Sequence, residues 1–81
     1  MPAEKNRQHS FVELHDVADG LPAVAVDRRL YVGSVPTPAH RVVCATLAED
    51  ANLVVAATVD KKVLVLQRSE RSAAFDAKAE Q

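Results

Sequence analysis

The chain has 81 residues, a formal net charge of −1, 48% hydrophobic residues and a single cysteine. This length allows one domain of marginal stability, and the near-neutral charge excludes a global field that would draw the chain to nucleic acid or an anionic membrane. The single cysteine excludes a disulfide within the chain, and the longest apolar runs, of four or five residues, are far too short for a membrane helix.

The N-terminal stretch, residues 1–10, is polar and has neither a hydrophobic period nor the apolar core of a signal peptide. We predict a flexible arm there, because such termini lack the contacts that order a chain. A lone thiol is typical of a reducing compartment. We therefore expect a cytoplasmic protein with no membrane partner.

The sequence pattern of residues 11–68 predicts one small β-rich domain. Short apolar runs alternate with turn residues such as Asp19-Gly20, Asp27-Arg28 and Glu49-Asp50, and the two prolines Pro36 and Pro38 mark a loop. The candidate strands are Phe11–His15, Leu21–Val26, Arg29–Val35, Arg41–Leu47 and Asn52–Thr58. The pattern predicts a mainly β fold, a small antiparallel meander of four or five strands.

The segment 59–68 has two interpretations. As a strand, Val63–Leu66 would follow a hairpin turn at Asp60-Lys61-Lys62, although that turn lacks the usual Gly or Asn. As a helix, the segment would begin with Thr58 as its N-cap, but the low helix propensity of its valines argues against this. The pattern favours the strand slightly. The polar tail, residues 69–81, has the composition of a short C-terminal helix, which leaves an α+β fold as the alternative.

The segment 52–66 is apolar on both faces, which raises the question of what covers it. A strand that is apolar on both sides must be buried on both sides. We expect a chain this short to supply one layer and hardly a second, so another copy or a protein partner should supply the rest. The interaction residues predicted on this basis are Val54, Val63, Leu64, Val65, Leu66 and Tyr31.

No motif predicts an enzyme or a cofactor site. Gly20 and Gly33 are too far apart for a phosphate-binding loop, and His40 with Cys44 lacks the paired close spacing of zinc sites. Cys44 stands among apolar residues, and we expect a buried, inert thiol. The function that these observations favour is a non-enzymatic protein–protein interaction or assembly module without a cofactor.

An alternative is a small dimeric regulator that binds nucleic acid through its basic turns, Arg28-Arg29 and Lys61-Lys62. In a single meander successive turns alternate between the two ends of the sheet. We therefore expect these two pairs to lie at opposite ends of the sheet. Because this separates the basic residues, the sequence favours the assembly function over nucleic-acid binding.

The order of several short motifs resembles small flagellar accessory proteins of the FlbD type. The motifs are Phe11-Val12-Glu13-Leu14, Gly20-Leu21-Pro22-Ala23-Val24, Val26-Asp27, Leu30-Tyr31-Val32, Val54-Val55 and Thr58-Val59-Asp60. They cover about half of the chain. The resemblance implies a small non-enzymatic accessory or assembly protein, and it implies a helix after Thr58. The chain departs from the family at Ala56 and Ala57, where charged residues are expected.

Overall fold

The computed structural model describes residues 10–69 and 74–80. Within these ranges the chain forms eight β-strands and no helix. The strands are β1 (Val12–Ala18), β2 (Leu21–Val26), β3 (Arg29–Val32), β4 (Val35–Pro36), β5 (Val42–Ala48), β6 (Leu53–Thr58), β7 (Val63–Arg68) and β8 (Phe75–Glu80). The predicted mainly β class is confirmed.

The strands form two four-stranded antiparallel meanders, which we name sheet 1 (β1–β4) and sheet 2 (β5–β8). The expected single meander of four or five strands is therefore too small. The reason lies in the proline loop after β4, where the buried Thr37 side chain bonds the Leu30 carbonyl oxygen and Leu30 N–H bonds the Ala39 carbonyl. These bonds end sheet 1 and lead the chain into a second sheet.

Two tight turns set the register of sheet 1. Asp19-Gly20 and Asp27-Arg28 are two-residue loops with positive φ at both positions, the geometry that matches the twist of the flanking strands. Asp27 also joins this turn to the residue that precedes β1, because its carboxylate accepts the Phe11 backbone N–H at 2.8 Å. The Asp-Gly and Asp-Arg pairs that marked turns in the sequence are confirmed as turns.

The C-terminal part of the chain is extended. The strand interpretation of residues 63–68 is confirmed, and the helix implied by the FlbD-type resemblance is absent from this segment. The predicted tail helix is wrong over residues 75–80, which form β8. Phe75 explains the difference, since it is buried at the start of β8 with the Arg68 guanidinium 4.6 Å from its ring centre. Residues 70–73 and 81 of the tail and residues 1–9 of the predicted arm lie outside the described residues.

One face of each sheet packs against the other sheet, and we call these the core faces. They form a single hydrophobic cluster that includes Ala23, Leu30 and Val32 from sheet 1 and Val54, Ala56 and Leu66 from sheet 2. Alternation along each strand places these residues on one side. The expectation that the chain supplies hardly more than one layer is wrong, because strands of only two to seven residues suffice for two sheets.

Leu66 tests the importance of this core. It is fully buried at the centre of β7, so Leu66→Ala should lower the free energy of unfolding by about 3 kcal/mol through lost burial and a cavity. The matched control Val59→Ala, in the exposed β6–β7 turn, should change it by less than about 0.5 kcal/mol. Urea unfolding at one protein concentration measures both. Equal losses would contradict the shared core.

Candidate functional site: two open apolar faces

Sheet 1 leaves its second face open, and that face is apolar. Register places Val12, Leu14, Val17, Pro22, Val24, Val26, Tyr31 and Pro36 on it. Val12, Leu14 and Val17 are 58%, 64% and 54% exposed. Arg29, the first residue of β3, is the charged residue of this face among the described pairs. The strands of an antiparallel sheet normally place polar residues on the side that faces water. This apolar surface therefore has the character of an interface.

Sheet 2 also leaves one face open. The register places on it Cys44, Thr46, Leu53, Val55, Ala57, Val63, Val65 and Gln67. Val63 is 39% exposed, and Val55 and Val65 are half-buried by their neighbours in the sheet. The segment Leu53–Arg68 is therefore apolar on both sides for two different reasons: one side belongs to the core of the chain and the other is open.

The predicted interaction residues divide between these surfaces. Val54 and Leu66 are fully buried in the chain's own core, and Leu64 packs against it. Val63 and Val65 lie on the open face of sheet 2, and Tyr31 lies on that of sheet 1. Sequence reasoning missed the exposed residues of β1. The alternation of Val12 and Leu14 with polar residues was the available signal, but such alternation normally marks the buried side of a strand.

Asp16 joins the two sheets at their first strands. Its Oδ2 atom accepts the Leu47 backbone N–H at 2.7 Å and the Thr46 hydroxyl at 3.0 Å, while Oδ1 accepts the Val17 N–H at 2.8 Å. These bonds hold the pKa of the Asp16 carboxyl below its ordinary value of 3.8, and the bond from the Leu47 N–H has the largest effect. Asp16 follows a β-bulge at His15, which turns the carboxylate toward β5.

The basic turns meet at one end of the molecule. Val42 N–H donates to the Arg28 carbonyl oxygen, and Val59 N–H donates to the Arg41 carbonyl oxygen, both at 2.9 Å. The β2–β3 turn, the start of β5 and the β6–β7 turn are thus neighbours. The expectation that Arg28-Arg29 and Lys61-Lys62 lie at opposite ends is wrong, because sheet 2 starts a new meander parallel to the first. In the β6–β7 turn, the pKa of Asp60 is lowered. The hydrogen bond from the Thr58 hydroxyl has the largest effect, and the positive charges of Lys62 and Arg41 add to it.

The chemistry of the remaining polar groups is limited. Cys44 is exposed on the open face of sheet 2, which corrects the expected buried thiol; a β-bulge at Val43 shifts the register there. The described residues contain no group of three or more His, Cys, Asp or Glu that could hold a metal ion. An open depression beside β7 and β8 is lined by Gln67, Arg68, Asp76 and Lys78, without a pair of carboxylates.

No helix in the described part of the chain has the length and apolar character to cross a membrane. Comparison with known proteins gave no relatives: no family model, no curated protein and no solved structure matches the chain.

The Asp16 contact makes a prediction about acid stability. Because its pKa is lower in the folded state, the carboxylate stabilises the fold above about pH 3.8, and this contribution is lost as the pH falls through the folded-state pKa. Asp16→Asn should therefore unfold more easily than the wild type at pH 7, and the difference should shrink toward pH 3. Thermal unfolding across this range measures it.

The matched control is Asp19→Asn, which removes a carboxylate from the β1–β2 turn at a positive φ that Asn tolerates well. This control should keep the wild-type pH profile. A difference between Asp16→Asn and wild type that stays constant with pH would contradict the role of the Asp16 charge.

Proposed function

We propose that the protein is a non-enzymatic assembly module that binds protein through its open apolar sheet faces. The observation that supports this most directly is that the paired positions of both open faces are almost free of charge, with Arg29 at one strand end and Asp76 in β8 as the charged residues among the described pairs. Sheets that stay in water normally carry charged side chains to prevent aggregation.

The size of the open surface supports the same function. At about 3.3 Å per residue and about 4.8 Å between strands, the shorter strands of sheet 1 give an open face of roughly 300 Å², and those of sheet 2 give one of roughly 400 Å². The two faces, one on each side of the molecule, together reach roughly 700 Å², close to the roughly 800 Å² that one partner buries in a standard protein–protein interface. Contiguous apolar surfaces of this size on a folded chain are typical of binding sites.

Val63→Asp tests this function. Val63 is exposed, so the fold should tolerate the aspartate, whereas burial of an unpaired carboxylate in an interface should weaken assembly about 100-fold. The molar mass measured by light scattering across a dilution series should fall to that of a monomer in the variant. The wild type should remain associated at the same concentrations.

The control is Val59→Asp, the same substitution at an equally exposed valine in the β6–β7 turn, outside the strand pairs of sheet 2. It should assemble as the wild type does. A wild type that is monomeric at every concentration and loses no binding partner with Val63→Asp would contradict the proposed function.

A second candidate function, nucleic-acid binding, is favoured by one observation. The turns that carry Arg28 and Lys61-Lys62 are joined through the backbone bonds of Arg28 and Arg41. Five basic residues thus converge on one end, namely Arg28, Arg29, Arg41, Lys61 and Lys62. A one-sided basic patch is the electrostatic signature of nucleic-acid binding, and the same end offers few aromatic side chains for base stacking.

Salt dependence tests this second function. If three of these side chains contact phosphates, the affinity for a labelled DNA or RNA oligonucleotide should fall about 40-fold between about 50 and 200 mM salt. The Lys61→Ala, Lys62→Ala double variant should lower the slope, whereas Lys78→Ala, on β8, should not. Fluorescence anisotropy measures both. Affinity that does not change with salt would contradict this function.

A further inference from the structure

The two sheets of this chain are stacked in the same sense, and this can be read from their hydrogen bonds. In an antiparallel sheet, all residues that bond to the same neighbouring strand project their side chains to one face. Since every residue is an L-amino acid, that face is fixed by the side on which the neighbour lies. Two sheets with the same strand order can therefore be compared face by face.

The bonds of the second strand in each sheet make this comparison. In β2, Pro22 bonds to β3, because its carbonyl oxygen accepts the Gly33 N–H at 2.8 Å, and its side chain lies on the open face of sheet 1. In β6, Thr58 donates its N–H to Lys62, on the way into β7, at 3.0 Å, and its side chain lies on the core face of sheet 2. The open face of sheet 1 is thus equivalent to the core face of sheet 2.

It follows that the packing inside the chain is head to tail. Sheet 1 contributes one kind of face to the core and sheet 2 contributes the other kind. The two faces left open are again one of each kind, with Leu14 and Val24 on one and Val55 and Val63 on the other. A contact that joins unlike faces leaves the same unlike faces free at its ends, so it can repeat.

Resting on the proposed assembly function, we propose that the occupant of the open faces is a second copy of this chain, stacked head to tail. The open face of sheet 1 in one copy covers the open face of sheet 2 in the next, repeating the contact between the two sheets within the chain. The continuity of this interface, and the nearly uncharged character of both open faces, carry the inference.

The shape of the stacked pair favours closure into a ring. The two sheets meet at their first strands, where Asp16 on β1 bonds Leu47 and Thr46 on β5, and most of the close backbone neighbours between the sheets also join β5 to β1 and β2. Sheets that meet at one edge form a wedge, and wedges stacked in one sense close around an axis. Rings of four-stranded sheets typically contain about four to eight sheets, so about two to four copies of this chain would close one.

A mixing experiment tests the head-to-tail contact. Leu14→Asp disables the open face of sheet 1, and Val63→Asp disables that of sheet 2; both residues are exposed, so both variants should fold. Each variant alone should be monomeric, because the buried aspartate should weaken association about 100-fold. Mixed in equal amounts they retain one intact junction between them and should form a 1:1 heterodimer that grows no further. Native mass spectrometry resolves these species.

The outcomes separate the possible contacts. Wild-type protein should give one discrete oligomer, and an open-ended ladder would contradict closure. If either variant still dimerises alone, like faces are in contact and the head-to-tail inference is overturned, while the assembly function stands. If the mixture stays monomeric although the wild type assembles, the inference is also overturned. A wild type that is monomeric and partnerless overturns the assembly function itself.

Cys44 gives an independent readout. The thiol lies on the open face of sheet 2, on the opposite side of the molecule from Leu14. In a closed head-to-tail ring Cys44 is covered, so wild-type protein should react slowly with a thiol reagent and Leu14→Asp should react at the rate of an accessible thiol. Val12→Asp, on the same face and also exposed, serves where Leu14→Asp does not fold. Equal labelling of wild type and these variants would overturn the proposal.

Discussion

The contact between the two core faces is the interaction on which the rest of this structure depends. A four-stranded sheet of short strands cannot bury both of its sides, and the core face of sheet 1 combines the small Ala23 and Ala25 with the larger Leu30 and Val32. Leu66 and Val54 from sheet 2 are buried in the same cluster as Ala23, Leu30 and Val32. The many alanines and valines, which give a weak core when counted residue by residue, allow the two sheets to approach closely.

The polar contacts at the first strands complement this apolar core. β1 and β5 lie at the edges of their sheets, where backbone N–H groups lack a strand partner. Asp16 satisfies two such groups, the N–H of Val17 in its own strand and that of Leu47 in the other sheet, and the Arg28 carbonyl accepts the N–H of Val42. Edge protection and sheet docking are thus carried out by the same few bonds, and they fix the two first strands side by side and parallel.

The sequence allowed the positions of most strands up to β7 to be predicted, whereas β8 and the assignment of faces could not be. Turn residues such as Asp19-Gly20 mark the hairpins through local chemistry, and the β-branched residues of β6 and β7 favour strands. The division into two sheets depends on a long-range event, the closure of the loop at Thr37 and Ala39 onto Leu30, which no local pattern encodes. The same event decides that Arg28 and Lys61 share one end. The open face of sheet 1 could not be predicted, because the alternation of apolar and polar residues does not determine which side of a strand is buried.

Head-to-tail stacking accounts for a feature that the core alone leaves unexplained, the apolar character of β6 and β7 on both sides. Leu64 and Leu66 serve the contact inside the chain, and Val63 and Val65 lie on the face that would contact the next copy in the proposed stack. A contact between like faces would satisfy one of the two open surfaces and leave the other in water. A contact between unlike faces satisfies both at once in a closed ring, and it uses a packing geometry that the chain already forms. A repeating interface is therefore favoured over two unrelated interfaces. In such an assembly, the basic turns of all copies would lie on the same rim.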